Sequence, residues 1–114
     1  DGLAAVEVAE GRTLAVASEL PVGQRVLVCL RPEDVTVYGD GGPEPHSSAR
    51  NRFSAQITQV QQRGSLYKLL LDAGFPLAAL VTKQSFLELD LRVGRQVSAS
   101  FKATAAHVIP RGHA

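Results

Sequence analysis

"TKQSFLELDLRVGRQVSASFKA", residues 82–103, changes its hydrophobic period halfway. In the first half Leu87 and Leu91 stand four apart with Phe86 and Leu89 beside them, the spacing of one short helix. That helix is expected to stop before Gly94, with Arg92 in its last turn where the dipole favours a cation. The second half alternates strictly. Val97, Ala99 and Phe101 share one face; Gln96, Ser98, Ser100 and Lys102 share the other. A half-buried strand entered from a short helix is the pattern to which the rest of the chain must be fitted.

Working outward, strands dominate. "LAAVEV" (3–8) and "TLAVA" (13–17) flank a turn at "EGR" and read as a hairpin, with Val6 and Val8 facing one way and Leu14 and Val16 paired likewise. "RVLVCL" (25–30) is continuously apolar and is expected to be a strand buried on both faces. Pro32 interrupts it, since proline cannot donate to a ladder, and "VTVY" (35–38) resumes. "GDGGPEPHSS" is the strongest break in the chain and sets a sub-unit boundary near residue 45. Beyond it, Phe53, Ala55 and Ile57 share a face while Val60 falls out of phase, which points to a bulge. "LYKLLLD" (66–72), "LAALVT" (77–82) and "AHVI" complete the strands. Many short strands with one helix between them describe an all-β fold, an OB-like Greek-key β-barrel with one short helix. Residues 1–45 would supply its N-terminal strands and residues 46–114 the remainder of one compact domain.

The chain has 114 residues, of which 45% are hydrophobic, enough for a core without disulfides or a structural metal. Its single cysteine, Cys29, sits in an apolar run and reads as a small buried hydrophobe. No apolar run approaches the roughly 20 residues of a membrane span. The sequence contains no Met, even at position 1, and opens like a strand entered midway, so it is expected to be a piece of a longer protein. A net charge of +1 and few aromatic residues, with Phe101 on an inward face, argue against a nucleic-acid binder.

Recognisable catalytic patterns are missing. No phosphate-cradling glycine loop occurs, and His46, His107 and His113 are scattered with no second cysteine, which argues against zinc. Ser85, His107 and Asp90 could be assembled into a triad on paper, but no nucleophile-elbow context surrounds the serine. The chain reads as a non-enzyme with no resident cofactor and no metal site.

What remains is a set of hydrogen-bond donors at expected element ends: "SSARN" (47–51), "TKQS" (82–85) and "FKA" (101–103). A tetrahedral dianion taken out of water must regain its solvation from directional donors and one or two cations, and hydroxyls, Arg50 and Lys102 offer both. Each has a plainer use. Ser85 and Glu88 match a capping box, or Thr82 is the cap with Ser85 in the first turn. Arg50 and Arg52 could be a solvated loop.

"LRPEDV" (30–35) resembles the R-P-E-D signature of TOBE domains, the C-terminal domains of ATP-binding subunits of ABC importers. "SARN", "VTKQS" and "FKAT", in this order and spacing over about residues 46–109, resemble the Mop domain of molybdate-binding proteins. The resemblance implies a regulatory domain of a molybdate or tungstate importer ATPase, without the ATPase core. It points to Ser48 and Arg50, Ser85, Lys102 and the backbone at Ala103 as the oxyanion-binding residues. It implies a homodimer with sites between subunits, partnership with the chain's own ATPase domain and membrane permease subunits, and a cytoplasmic place at the inner face of the membrane. It also implies feedback inhibition of transport by the bound ion. Ala55 departs from the family, which often has glycine there; its methyl would reshape the site or mark a domain that kept only the fold. Arg31, Glu33 and Asp34 are expected to form a local turn and ion-pair network around Pro32 rather than to bind ligand.

Three other readings compete. A ligand-free dimerisation scaffold of a sugar, sulfate or iron importer ATPase would ignore oxyanions. A stand-alone storage or transcription-control domain would not need the "RPED" half. An OB-type nucleic-acid binder would show salt-dependent DNA binding.

Overall fold

The computed structural model of the chain describes residues 3–9, 12–18, 22–39 and 51–111. The described strands are β1 (Leu3–Ala9), β2 (Arg12–Ala17), β3 (Val26–Cys29), β4 (Thr36–Tyr38), β5 (Asn51–Arg63), β6 (Leu66–Asp72), β7 (Pro76–Thr82), β8 (Gln96–Phe101) and β9 (His107–Pro110), with one helix, α1 (Lys83–Glu88), between β7 and β8. Single 3-10 turns occupy Pro32–Asp34 and Ala103–Ala105.

Strand β5 organises the rest. It is 13 residues long and serves two antiparallel partners in succession. Residues 51–56 pair with β8, from Asn51↔Phe101 to Gln56↔Gln96, and residues 56–63 pair with β6. The handover falls on a bulge between Ile57 and Gln59. Thr58 is the extra residue, and its hydroxyl donates to the Leu70 carbonyl at 3.1 Å. One inserted residue shifts the two-residue period, so the inward face runs Ala55, Ile57 and then Val60. The phase slip expected at Val60 therefore has a physical cause two residues earlier.

The resulting sheet has the order β4-β8-β5-β6-β7, and β4 also packs against β7, so the sheet curls into an OB-type half-barrel. The turn Pro32–Asp34, which leads into β4, also lies against β7. Alternation dictates the core: Val97, Ala99 and Phe101 from β8, Leu69 and Leu71 from β6, and Ala55 and Ile57 from β5 are all buried. Phe53 ties this layer together, meeting Phe75 edge-on at 5.0 Å between ring centroids and lying over Phe101 at 6.5 Å. Two ribbons stand apart from this sheet, β1–β2 and β3–β9, each a two-stranded sheet. Leu14 and Val16 of β2 reach into the common core.

Three local expectations are corrected. The apolar run at 25–30 is not buried on both faces: β3 pairs with β9 alone, and Leu27, opposite Ile109, is 43% exposed. A two-stranded ribbon has one face for the core and must leave the other to solvent. Ser100, assigned to the polar face, is nevertheless only 1% exposed: β8 is an inner strand, and Ser100 is flanked by Thr36 on β4 and Arg52 on β5. Around Pro32 the turn is real, held by the Asp34 N–H on the Arg31 carbonyl (3.0 Å) and the Val35 N–H on the Pro32 carbonyl (3.2 Å). The ion pairs are not: Arg31, Glu33 and Asp34 are exposed, and the salt bridge found among the described residues joins Arg92 to Asp90.

The helix is also shorter than its apolar spacing suggested. It ends at Glu88 with a Schellman arrangement: the Asp90 N–H donates to the Leu87 carbonyl (3.2 Å) and the Leu91 N–H to the Phe86 carbonyl (3.1 Å). Asp90 adopts φ 53°, a left-handed conformation that costs a non-glycine residue. This turn sends Leu91 into the core while Leu87 stays 64% exposed, so the two leucines do not share a helical face. Arg92 lies beyond the helix and pairs with Asp90 at 2.8 Å, with both side chains mostly in water.

Two stability outcomes follow. Asp90→Gly removes the left-handed penalty and loses only an exposed ion pair, so urea unfolding should show a gain of about 0.5–1 kcal/mol. Phe101→Ala opens a cavity in the aromatic layer and should cost about 3–5 kcal/mol in the same assay.

Candidate functional site

Of the five residues assigned to oxyanion binding, Ser85, Lys102 and Ala103 fall within the described residues, and Ser48 and Arg50 lie outside them. Ser85 sits in the first turn of α1. The cap is Thr82, whose side-chain oxygen accepts from the Ser85 N–H at 3.1 Å. Of the two capping alternatives, the extended backbone of Thr82 at the end of β7 decides for threonine, which leaves the Ser85 hydroxyl outside the cap. Glu88 is engaged instead with Gln84, whose amide donates to it at 3.1 Å. α1 itself is fixed to the sheet by Phe86, which stacks on Tyr67 of β6 at 4.0 Å with the rings 4° from parallel. Ser85, half-buried and next to that ring, thus has a firm backbone position. With six residues the helix carries little macrodipole, so its donors matter more than its field.

Lys102 is placed by its neighbours. Phe101 is 2% and Ala103 3% exposed, so burying both turns the intervening side chain outward to water. The Lys102 backbone is extended (φ −78°, ψ 147°), and its carbonyl accepts from the Ala105 N–H at 2.9 Å, starting the 3-10 turn. No side chain caps this turn. An exposed ammonium therefore stands at the mouth of a turn whose first amide belongs to Ala103.

The seam relates the two site-bearing strands. β7, which leads into Ser85, and β8, which leads into Lys102, are the two neighbours of β4: one by packing, the other by hydrogen-bonded pairing. Ala55, the departure from the family pattern, is 2% exposed and faces the core in register with Val97. Its methyl is consumed in packing among the barrel side chains, four residues into β5 from Asn51.

Sequence reasoning treated Asn51 as one more donor in a polar loop and missed its use. It is 3% exposed. Its Oδ1 accepts from the Ala15 N–H at 2.7 Å, and its Nδ2 donates to the Ala15 carbonyl at 2.8 Å and, at 3.5 Å, to the Phe101 carbonyl. The signal available beforehand was its place as the first residue of a strongly alternating strand, on the inward face. A polar residue there must find partners or forfeit its hydration.

Chemically, a cation and an amide at Lys102–Ala103 and a hydroxyl at Ser85 are donors for an anion, but the registers do not bring them together within one chain: Phe101 lies opposite the first residue of β5, and Thr82, through Leu66, opposite its last. Among the described residues, no group of three or more His, Cys, Asp or Glu side chains gathers in a way that could hold a metal ion. No described helix is long and apolar enough to cross a membrane.

Comparison with known proteins places these features in a family. The TOBE domain matches residues 47–108. The molybdate/tungstate import ATP-binding protein WtpC of Pyrococcus horikoshii is 44% identical over 109 residues, covering 90% of this chain and 31% of that protein. WtpC of Pyrococcus abyssi is 32% identical over 110 residues, covering 95% of this chain and 31% of that protein. The chain therefore spans less than a third of these relatives. Among solved structures, the cytoplasmic molybdate-binding protein ModG, crystallised with molybdate bound, shares the fold with a TM-score of 0.77. Identity to it is 23%, and the match covers 89% of this chain and 78% of that one. An OB-type half-barrel with the R-P-E-D turn at its seam and a match across residues 47–108 lead to one conclusion: the chain belongs to the TOBE-domain family.

Proposed function

We propose that this domain binds molybdate or tungstate as the regulatory domain of an ABC importer ATPase subunit, and that the bound oxyanion restrains transport. The observation that carries the reading is identity of 44% across 90% of the chain to a molybdate/tungstate import ATP-binding protein. The local geometry is compatible with it. Lys102 is turned outward between two buried neighbours, the Ala103 turn has no side-chain cap, and the Ser85 hydroxyl is left out of the helix cap. Charge-assisted and neutral donors of this kind suit a tetrahedral dianion. Ser48 and Arg50 complete the proposed set. In a homodimer, donors from two chains would surround one ion, and the domain would sit at the cytoplasmic face of the membrane beside its ATPase and permease partners.

Restraint of transport would be allostery with two distinct ligands. The oxyanion favours a resting arrangement, and whatever favours the working arrangement must weaken oxyanion binding by the same factor. The scaffold alternative rested on Ala55. With its methyl facing the core, that residue supplies little reason to expect a reshaped rim.

Calorimetric titration with molybdate, tungstate and sulfate tests the reading. The two larger ions should bind and the smaller sulfate should bind more weakly. Arg50→Ala and Lys102→Ala should each weaken binding about 10- to 100-fold, the worth of one hydrogen bond to a charged group. A folded protein that gives no heat with any of the three ions sinks the proposal and leaves the scaffold. In the same samples, sedimentation should report a dimer; a monomer that binds the ion fully would remove the shared-site part of the reading.

A further inference from the structure

The β1–β2 hairpin is a two-stranded sheet with no ladder to its neighbours, and such a unit is marginal by itself. Two features hold it. Leu14 and Val16 bury their side chains, at 3% and 0% exposure. Between them, Ala15 gives both its N–H and its carbonyl to the Asn51 carboxamide, 36 residues away. In an antiparallel pair, polar groups of alternate residues point toward the partner strand or away from it. Those of Ala15, in register with Ala5, are turned to the open edge, where one amide side chain completes them like a rung of a ladder.

The apolar contacts and the carboxamide do different physical work. Burial of Leu14 and Val16 favours contact but is non-directional. The paired bonds to Ala15 fix position along the strand. A slip of one residue would turn Leu14 and Val16 out of the core and present the wrong backbone groups to Asn51.

The same carboxamide reaches the strand end that carries the proposed ligand groups. Its Nδ2 faces the Phe101 carbonyl, one residue before Lys102, and β2 packs on the turn Ala103–Ala105. Asn51 also follows Arg50 directly in the chain. One buried side chain therefore joins the hairpin, the start of β5 and the end of β8.

We propose that Asn51 is a positioning residue: it keys the β1–β2 hairpin onto the strand end bearing Lys102 and Ala103, so that hairpin docking and oxyanion binding are coupled. This rests on the oxyanion reading above. Asn51 contacts no ligand in this scheme; it aligns backbone on both sides of the groups that do. Coupling of this kind makes the hairpin a reporter of site occupancy, since a ligand that steadies the strand end also steadies what is bonded to it.

Asn51→Asp tests this in the full 114-residue chain. The variant is nearly isosteric and keeps the acceptor for the Ala15 N–H, but sets a carboxylate oxygen against the Ala15 and Phe101 carbonyls. Amide hydrogen exchange reads residues 3–17 and, as an internal control for global folding, β6 and β7. Calorimetry with molybdate reads the site. In wild type, molybdate should slow exchange in the hairpin. In Asn51→Asp, the hairpin should exchange at least about tenfold faster with β6 and β7 unchanged, and molybdate should bind about tenfold more weakly or worse. Should Asn51→Asp unfold globally, Ala15→Pro removes the N–H from the other side of the same contact and must give the same pattern. Molybdate binding at wild-type strength in a variant whose hairpin is loose overturns the coupling, as does wild-type binding that leaves hairpin exchange unaltered. Failure of wild type to bind molybdate, tungstate or sulfate overturns the oxyanion reading and the coupling together. The keying of the hairpin by Asn51 is then decided by the exchange measured without ligand.

Discussion

Strand β5 must satisfy two partners that share only Gln56 along its length, and most of the architecture follows from that requirement. Its first residues complete β8 and its last complete β6, so the sheet is staggered rather than flush. The bulge at Thr58 accommodates the handover, and the loop before β8 fits there: the Gly94 N–H donates to the Ile57 carbonyl at 2.7 Å, and the Ile57 N–H to the Arg95 carbonyl at 3.0 Å. A staggered sheet with right-handed twist curls, and the curl brings β4 against β7. Closure sets β7 and β8 on either side of β4, while the end of β7 that leads to Ser85 and the end of β8 that leads to Lys102 stay at opposite ends of the β5 register.

Function in such a domain depends on backbone placement more than on unusual side chains. Nothing about Lys102 is special except that both neighbours are buried, which leaves its ammonium one direction to go. Ser85 is held by a cap made by another residue and by an aromatic stack one position on. These are rigid-element constraints on ordinary donors, the kind of placement that the proposed tetrahedral anion would require. The chain's membership of the TOBE-domain family gives those donors their context, while the fold supplies their geometry.

Much of this was legible in the sequence because it follows from short-range periodicity. Alternation at 95–103 gave the strand and its buried face, and the phase slip at Val60 announced a bulge. The failures were of another kind. "RVLVCL" is as apolar as a doubly buried strand, yet Leu27 faces water, because the partner of β3 is a lone strand. "SFLELDL" has helical spacing, yet the helix stops at Glu88, because Asp90 turns left-handed and delivers Leu91 to the core by a different route. Ser100 lies in a polar phase, yet it is buried between Thr36 and Arg52 on the two strands that flank β8.

By itself, then, the sequence determined the strand and helix order, the inward faces of β5, β6 and β8 apart from Ser100, and the family, since each is written in neighbouring residues or in motifs whose order survives in the chain. Tertiary structure alone decided what Asn51 does. A buried carboxamide needs a donor and an acceptor left open elsewhere, and these belong to Ala15, 36 residues away on the edge of another ribbon. No local pattern records which backbone groups a distant strand leaves unpaired; that is fixed only when the two elements are packed together.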